Sequence, residues 1–114
     1  MYKKISYFVL LSFFSSFISC SSSVDCLTAE ECFKTGTYYF VYEHKFNLAE
    51  KYLTKAIIKK PNYAEAYLQR ANVRYLTMDL ENACIDRNRA RQYGWENEND
   101  IVAAYCRGEL QINK

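Results

Sequence analysis

Five cysteines, one histidine and a cluster of arginines are the side chains with the most chemistry to offer in this chain of 114 residues. Cys20, Cys26, Cys32, Cys84 and Cys106 can form disulfides, hold a metal or carry a modification. A zinc site is built from closely spaced ligand pairs, and Cys26 and Cys32, with five residues between them, lack that spacing. No metal is therefore expected. His44 is the single histidine, and no motif places a serine or cysteine beside it for activation, so it reads as a solvated residue in a turn. Neither a glycine-rich phosphate loop, a metal-binding His pair nor a nucleophile elbow occurs. Arg87, Arg89 and Arg91 fall near the end of an expected helix, where cations complement the helix dipole. These residues point away from catalysis, and neither a cofactor nor a small-molecule substrate is expected.

The elements that position them begin after a distinct N-terminal stretch. Lys3 and Lys4 are followed by an apolar or hydroxylated run over 5–18 and by Ser19-Cys20. This is the layout of an export signal. The run is about 14 residues, short of the ~20 that cross a bilayer. The junction Phe17-Ile18-Ser19-Cys20 resembles the lipobox of bacterial lipoproteins, although that family favours Leu where Phe17 stands. The resemblance implies that residues 1–19 are removed and that Cys20 becomes a lipidated N-terminus in the cell envelope, at the periplasmic or outer face. A plain secretory signal and an uncleaved anchor are the alternatives. Residues 20–27 would then hold the lipidated Cys20 and a polar tether, Ser21-Ser22-Ser23-Val24-Asp25, which at about 3.5 Å per residue keeps the domain within roughly 20 Å of the lipid.

Charge excludes one large class of partner. The whole chain carries 15 Lys+Arg against 13 Asp+Glu, and residues 1–19 hold two of the lysines and none of the acids. The remainder is balanced, so nucleic acid, which calls for a strong positive excess on one face, is not expected as a partner.

Composition favours helices. Tyr occurs 11 times and Phe 7, against 3 Gly and 1 Pro. Breakers that punctuate β folds are scarce. Thr28-Ala29-Glu30-Glu31, Asn47-Leu48-Ala49-Glu50 and Asn62-Tyr63-Ala64-Glu65 each offer an N-cap oxygen with Glu three places later, and Asp79 precedes Leu80. These signals predict helices over 29–43, 48–59, 63–77 and 80–93. A further helix over 98–107, carrying Ile101, Val102, Ala104 and Tyr105, is expected to cap the last apolar face. Residues 28–108 form the domain and 109–114 a tail.

The segments starting at Glu30 and Ala64 also repeat each other at an offset of 34: Phe33 with Tyr67, Ala49 with Ala83, Ala56 with Ala90. With Phe40, Phe46, Leu53 and Pro61 in the first unit, and Ala71 and Leu80 in the second, the pattern resembles the tetratricopeptide repeat. Thr37, Gly36 and Arg87 depart from it. The resemblance implies an all-α fold of two tandem helix-turn-helix repeats plus a C-terminal capping helix, stacked as an α-solenoid. Two repeats are fewer than the three or so that usually stand alone, so a further source of stability is expected.

If Cys20 carries lipid, four cysteines remain in an oxidising setting, and they allow three pairings. Cys84 should face the cap helix that bears Cys106, which favours Cys84–Cys106 and leaves Cys26–Cys32. Free buried thiols are the alternative.

By the same resemblance the first helix of each repeat lines a concave groove, and the corresponding residues are Lys34, Tyr38, Val41, Tyr42, Leu68, Asn72 and Tyr75. Tyrosines suit such a surface, presenting large area with a polar tip, or else they pack between helices. A carboxylate clamp of Lys with Asn four places later is not matched, because Tyr38 follows Lys34. The expected function is a membrane-anchored module that binds a protein or peptide as adaptor or assembly factor. The alternative is an auxiliary component of an envelope enzyme or transport system, or a small enzyme of unrecognised type using His44 and exposed cysteines, which His44 buried beside a free thiol would favour.

Overall fold

The computed structural model describes residues 25–113, which form five α-helices and, among these residues, no strand. Residues 1–24, including the expected signal, Cys20 and most of the tether, lie outside the described residues, as does Lys114. The helices are α1 (Ala29–Val41), α2 (Phe46–Lys59), α3 (Ala64–Leu76), α4 (Leu80–Gln92) and α5 (Ile101–Cys106). Each packs mainly on its neighbour in sequence, α1 with α2 and α3 with α4, while α1 also touches α3, and α3 touches α5. No helix of the described residues is long and apolar enough to cross a membrane.

The helix starts separate local signals from tertiary ones. At α1 the Thr28 Oγ1 accepts from the Glu31 amide at 3.1 Å, and the Glu31 carboxylate accepts from the Thr28 amide at 3.3 Å. This is the reciprocal cap expected from the sequence. The other caps differ. Lys45 and Tyr63, in place of Asn47 and Asn62, are the N-caps of α2 and α3, and neither makes a side-chain cap. Helix α2 starts early because Phe46 packs on Phe40, ring centroids 6.1 Å apart, and the backbone follows it. Asp79 is the N-cap of α4, but its carboxylate accepts from the Asn82 amide side chain at 3.0 Å instead of a backbone N–H. Helix α5 is shorter than the predicted 98–107, since Asp100 caps it by accepting from the Ala103 amide at 2.8 Å.

Small residues make the seams. Ala49, Ala56, Ala83 and Ala90 are all fully buried, so the backbones they sit on approach closely, as the repeat predicts. The closest approach is at Gly36 of α1, where an added Cβ would stand 2.8 Å from Leu53 Cγ and 3.1 Å from the Leu53 amide. Around that point Ala49, Leu53 and Val73 form a core lined by Phe33, Tyr39, Phe40 and Phe46. A second core joins Cys32, Ala56, Ile57, Ala66, Tyr67 and Ala90. The third, smaller, sets Ala71 and Ala83 against Val102 of α5.

Helix α4 is placed differently. Its buried residues are Ala83, Asp86, Arg87 and Ala90, without one large apolar side chain. Asp86, 1% exposed, accepts from Arg70 through both oxygens at 2.7 and 2.8 Å and from Arg74 at 2.8 Å. Arg70 also donates to Thr54 Oγ1 at 3.1 Å, and Arg74 to Glu50 at 2.7 Å, both on α2. Glu50, expected to serve a helix start, is thus a partner in this network. Arg87 also corrects its reading. It is 3% exposed, pairs with Asp100 at 2.8 Å and donates to the Asn97 carbonyl, so it ties the segment before α5 to α4.

Both favoured cysteine pairs are at disulfide distance, with Cα separations of 5.0 Å for Cys26–Cys32 and 5.6 Å for Cys84–Cys106.

Candidate functional site

Of the seven groove residues read from the sequence, α1 and its C-cap supply Lys34, Tyr38, Val41 and Tyr42, and α3 supplies Leu68, Asn72 and Tyr75. Because α1 and α3 touch, their C-terminal ends meet the start of α5 around an open cleft of about 350 Å³. Asn72 and Tyr75 line it together with Phe40, Leu76, Asp100, Ile101 and Val102. The remaining five lie elsewhere. Lys34, Tyr38, Val41 and Tyr42 are exposed on α1, while Leu68 is half-buried against the core cluster containing Cys32, Ala56 and Tyr67. Tyr75 has two roles, since its ring also packs edge-on against Tyr105 at 5.7 Å.

The residues that sequence reasoning missed are Phe40, Leu76, Ile101 and Val102. In the sequence Phe40 belongs to the repeat pattern, and Ile101 and Val102 to the expected cap helix. The signal that could have found them is Ile101 beside Val102 at the start of a short helix, where only one of two adjacent side chains can turn inward. Val102 is fully buried and Ile101 is 57% exposed.

Tyrosines extend the apolar surface along α1. The Tyr38 ring lies 5.6 Å from Tyr42 and 5.8 Å from Tyr39, and Tyr39 stacks on Tyr52 of α2 at 5.6 Å. The Tyr38 hydroxyl donates to Glu43 at 3.1 Å, and Glu43 pairs with Lys45 at 3.0 Å. Hydrogen bonding to Lys45 and then to Tyr38 holds the Glu43 carboxyl below its ordinary range. The same hydrogen bond pushes the Tyr38 phenol up, because its anion would face a carboxylate. At neutral pH this end of α1 presents a neutral phenol, and the local charges cancel.

Elsewhere the chemistry is structural. In the Arg70–Asp86–Arg74–Glu50 network two cations meet two anions, and the Asp86 carboxylate is taken up by the two guanidiniums. Burial works against the Arg70 charge, yet the bonds and charge of Asp86 outweigh it and hold the guanidinium above its ordinary range. His44 is exposed at φ 51 in the turn between α1 and α2, beside a surface cleft shared with Lys45, Phe46, Asn47, Leu48 and Thr77. Among the described residues no group of three or more His, Cys, Asp or Glu side chains could hold a metal ion.

The candidate site is thus a mostly apolar cleft with an aromatic margin, the Asn72 amide and the Asp100 carboxylate among its lining, and a wall supplied by a helix of six residues. No protein-family model, no curated protein and no solved structure matches the chain.

Proposed function

We propose that the protein is a membrane-anchored interaction module of the tetratricopeptide type, lipidated at Cys20, which receives a polypeptide partner on the face made by α1, α3 and the start of α5. One observation carries the reading. At the apolar cleft Leu76 and Ile101 are 55% and 57% exposed, and outside it, on α1 and its C-cap, Tyr38, Val41 and Tyr42 are between 46% and 73% exposed. Large apolar side chains left exposed at and near one cleft are what an interaction site presents and what a solitary domain keeps few of. The fold supports the family assignment through its helix hairpins and the fully buried alanines at the 34-residue offset. The alternative, an enzyme using His44 and a thiol, calls for His44 buried beside an unpaired cysteine. His44 is exposed, and Cys26, Cys32, Cys84 and Cys106 stand in pairs.

The test is crosslinking capture from intact envelopes with wild type and a Tyr42→Ala/Leu76→Ala variant. Both side chains are exposed, so the variant keeps its helical circular dichroism while partner affinity falls by about 2 kcal/mol, as when hot-spot side chains are truncated. A folded variant that captures its partner as well as wild type refutes the groove. Anchoring is tested apart, by metabolic fatty-acid labelling: wild type takes up label and Cys20→Ala does not.

A further inference from the structure

The third wall of the cleft is α5, and α5 has few means of staying in place. Six residues are far fewer than the ~12–15 at which an isolated helix becomes even marginal in water, so docking must hold it. Four attachments do so. Val102 and Ala103 are buried, Tyr105 packs on Tyr75, Asp100 pairs with Arg87, and Cys106, the last residue of the helix, is joined to Cys84. Only the last is covalent, and only the last can be undone by a two-electron reaction.

The two cysteine pairs differ in access. Cys26 and Cys32 are buried, at 8% and 0% exposure. Cys84 and Cys106 are both partly exposed and line an open surface cleft of about 150 Å³ together with Arg87, Arg91, Glu98 and Arg107. A thiolate arriving from solvent therefore reaches the second pair more readily than the first.

We propose that the Cys84–Cys106 disulfide is a redox gate on the partner cleft: closed, it clamps α5 against α3 and α4; reduced, it releases α5 and takes Ile101 and Val102 out of the cleft wall. The proposal rests on the reading of this cleft as a binding surface. The reductant is a dithiol. One of its thiolates attacks a sulfur of the pair, forming a mixed disulfide and expelling the other cysteine as a thiolate that takes a proton. The second thiol of the reductant then resolves the mixed disulfide, so Cys84 and Cys106 gain two electrons and two protons and the reductant leaves as a cyclic disulfide. The helices α1 to α4 stay folded, because their two larger cores contain no residue of α5.

The experiment is hydrogen exchange by mass spectrometry on the chain under graded dithiothreitol, with alkylation to assign each cysteine. The expected result is that Cys84 and Cys106 become alkylated at reductant levels that leave Cys26 and Cys32 joined. Exchange across Ile101–Cys106 then accelerates by about a hundredfold, as when a loop of this length is no longer closed, while α1 to α4 keep their protection. A Cys84→Ser/Cys106→Ser variant shows the same pattern without reductant, and its circular dichroism reports whether α1 to α4 are intact. Unchanged protection of α5 after reduction overturns the gate, as does prior reduction of Cys26–Cys32 or loss of all helices together. No partner is needed for this measurement. Failure to capture a partner with the oxidised protein therefore strikes the groove reading, whereas static α5 exchange strikes the gate.

Discussion

In the first hairpin, α1 and α2 are joined by carbon: Leu53 is fully buried, and Phe33, Tyr39, Phe40 and Phe46 close around it. In the second, α3 and α4 are joined by charge, because α4 buries only two alanines, Asp86 and Arg87. The two seams are otherwise alike, with alanines at matching positions and helices of 13 or 14 residues. The difference lies in how each seam fails. An apolar seam loses energy in proportion to the atoms removed and can partly relax. A charged seam tolerates no single deletion, since removing one partner strands the other in a poorly solvated place. The charged seam also reaches further, because Arg70 and Arg74 hold Thr54 and Glu50 of α2 as well as Asp86 of α4.

The comparison makes Asp86→Ala the most damaging single change. It leaves Arg70 and Arg74 without their shared carboxylate, and urea denaturation should show a loss of about 4 kcal/mol. A loss below about 1 kcal/mol would mean that the alanine contacts alone hold α4, and the contrast between the hairpins would collapse. Leu53→Ala is the counterpart in the first hairpin. Removing its buried side chain should cost about 3 kcal/mol by the same measurement. The two hairpins are linked through Val73, so the pair of substitutions should couple; strict additivity would make the hairpins independent units.

Gly36→Ala sharpens the carbon seam itself. Its new Cβ would meet Leu53 Cγ at 2.8 Å and the Ala49 carbonyl oxygen at 3.2 Å. Overpacking should outweigh the gain in helix propensity and lower stability by about 1 kcal/mol in thermal melting. Stabilisation would show that α1 can slide away from α2. The smallest effect belongs to the turn between those helices. Glu43 is held below the 4.5 of a free glutamate by Lys45 and Tyr38, so its stabilising contribution is present above that pH and is lost as pH falls through the lowered folded value. NMR titration of the Glu43 side chain checks this, and a midpoint at or above 4.5 contradicts it.

The first hairpin was the more legible one in the sequence, for physical reasons. Thr28 with Glu31 is a short-range signal, and both hydrogen bonds formed as read. The alanines at the 34-residue offset announce close seams whatever surrounds them. Asn47 with Glu50 looked the same as Thr28 with Glu31, but Arg74 drew Glu50 away and Phe46 extended the helix past Asn47. That outcome depends on residues of another helix, which spacing along α2 does not encode. The Asp86 network was hidden for the same reason, since Arg70 and Arg74 lie 16 and 12 positions from their partner. At the candidate site, Asn72 and Tyr75 could be placed because they belong to a regular helix. The docking of α5 was legible through Cys84 and Cys106, but its place as a wall of the cleft was not, because Ile101 and Val102 are positioned through Arg87 and Asp100 across a loop.

One further consequence concerns force. Asp25, the first described residue, is paired with Lys55 of α2, and Cys26 is joined to Cys32 inside α1. Tension arriving along the chain ahead of Asp25 therefore crosses from Cys26 to Cys32 through sulfur, once the ion pair has yielded. Residues 27–31 hang slack in the closed loop, so the Thr28 cap never bears load and α1 cannot be peeled from its first turn. The pull is delivered at a fully buried residue in the core cluster that also holds Ala56, Ile57 and Tyr67. A chain tugged from its N-terminus would thus be gripped by its interior, as a rope is gripped when the knot lies inside the block.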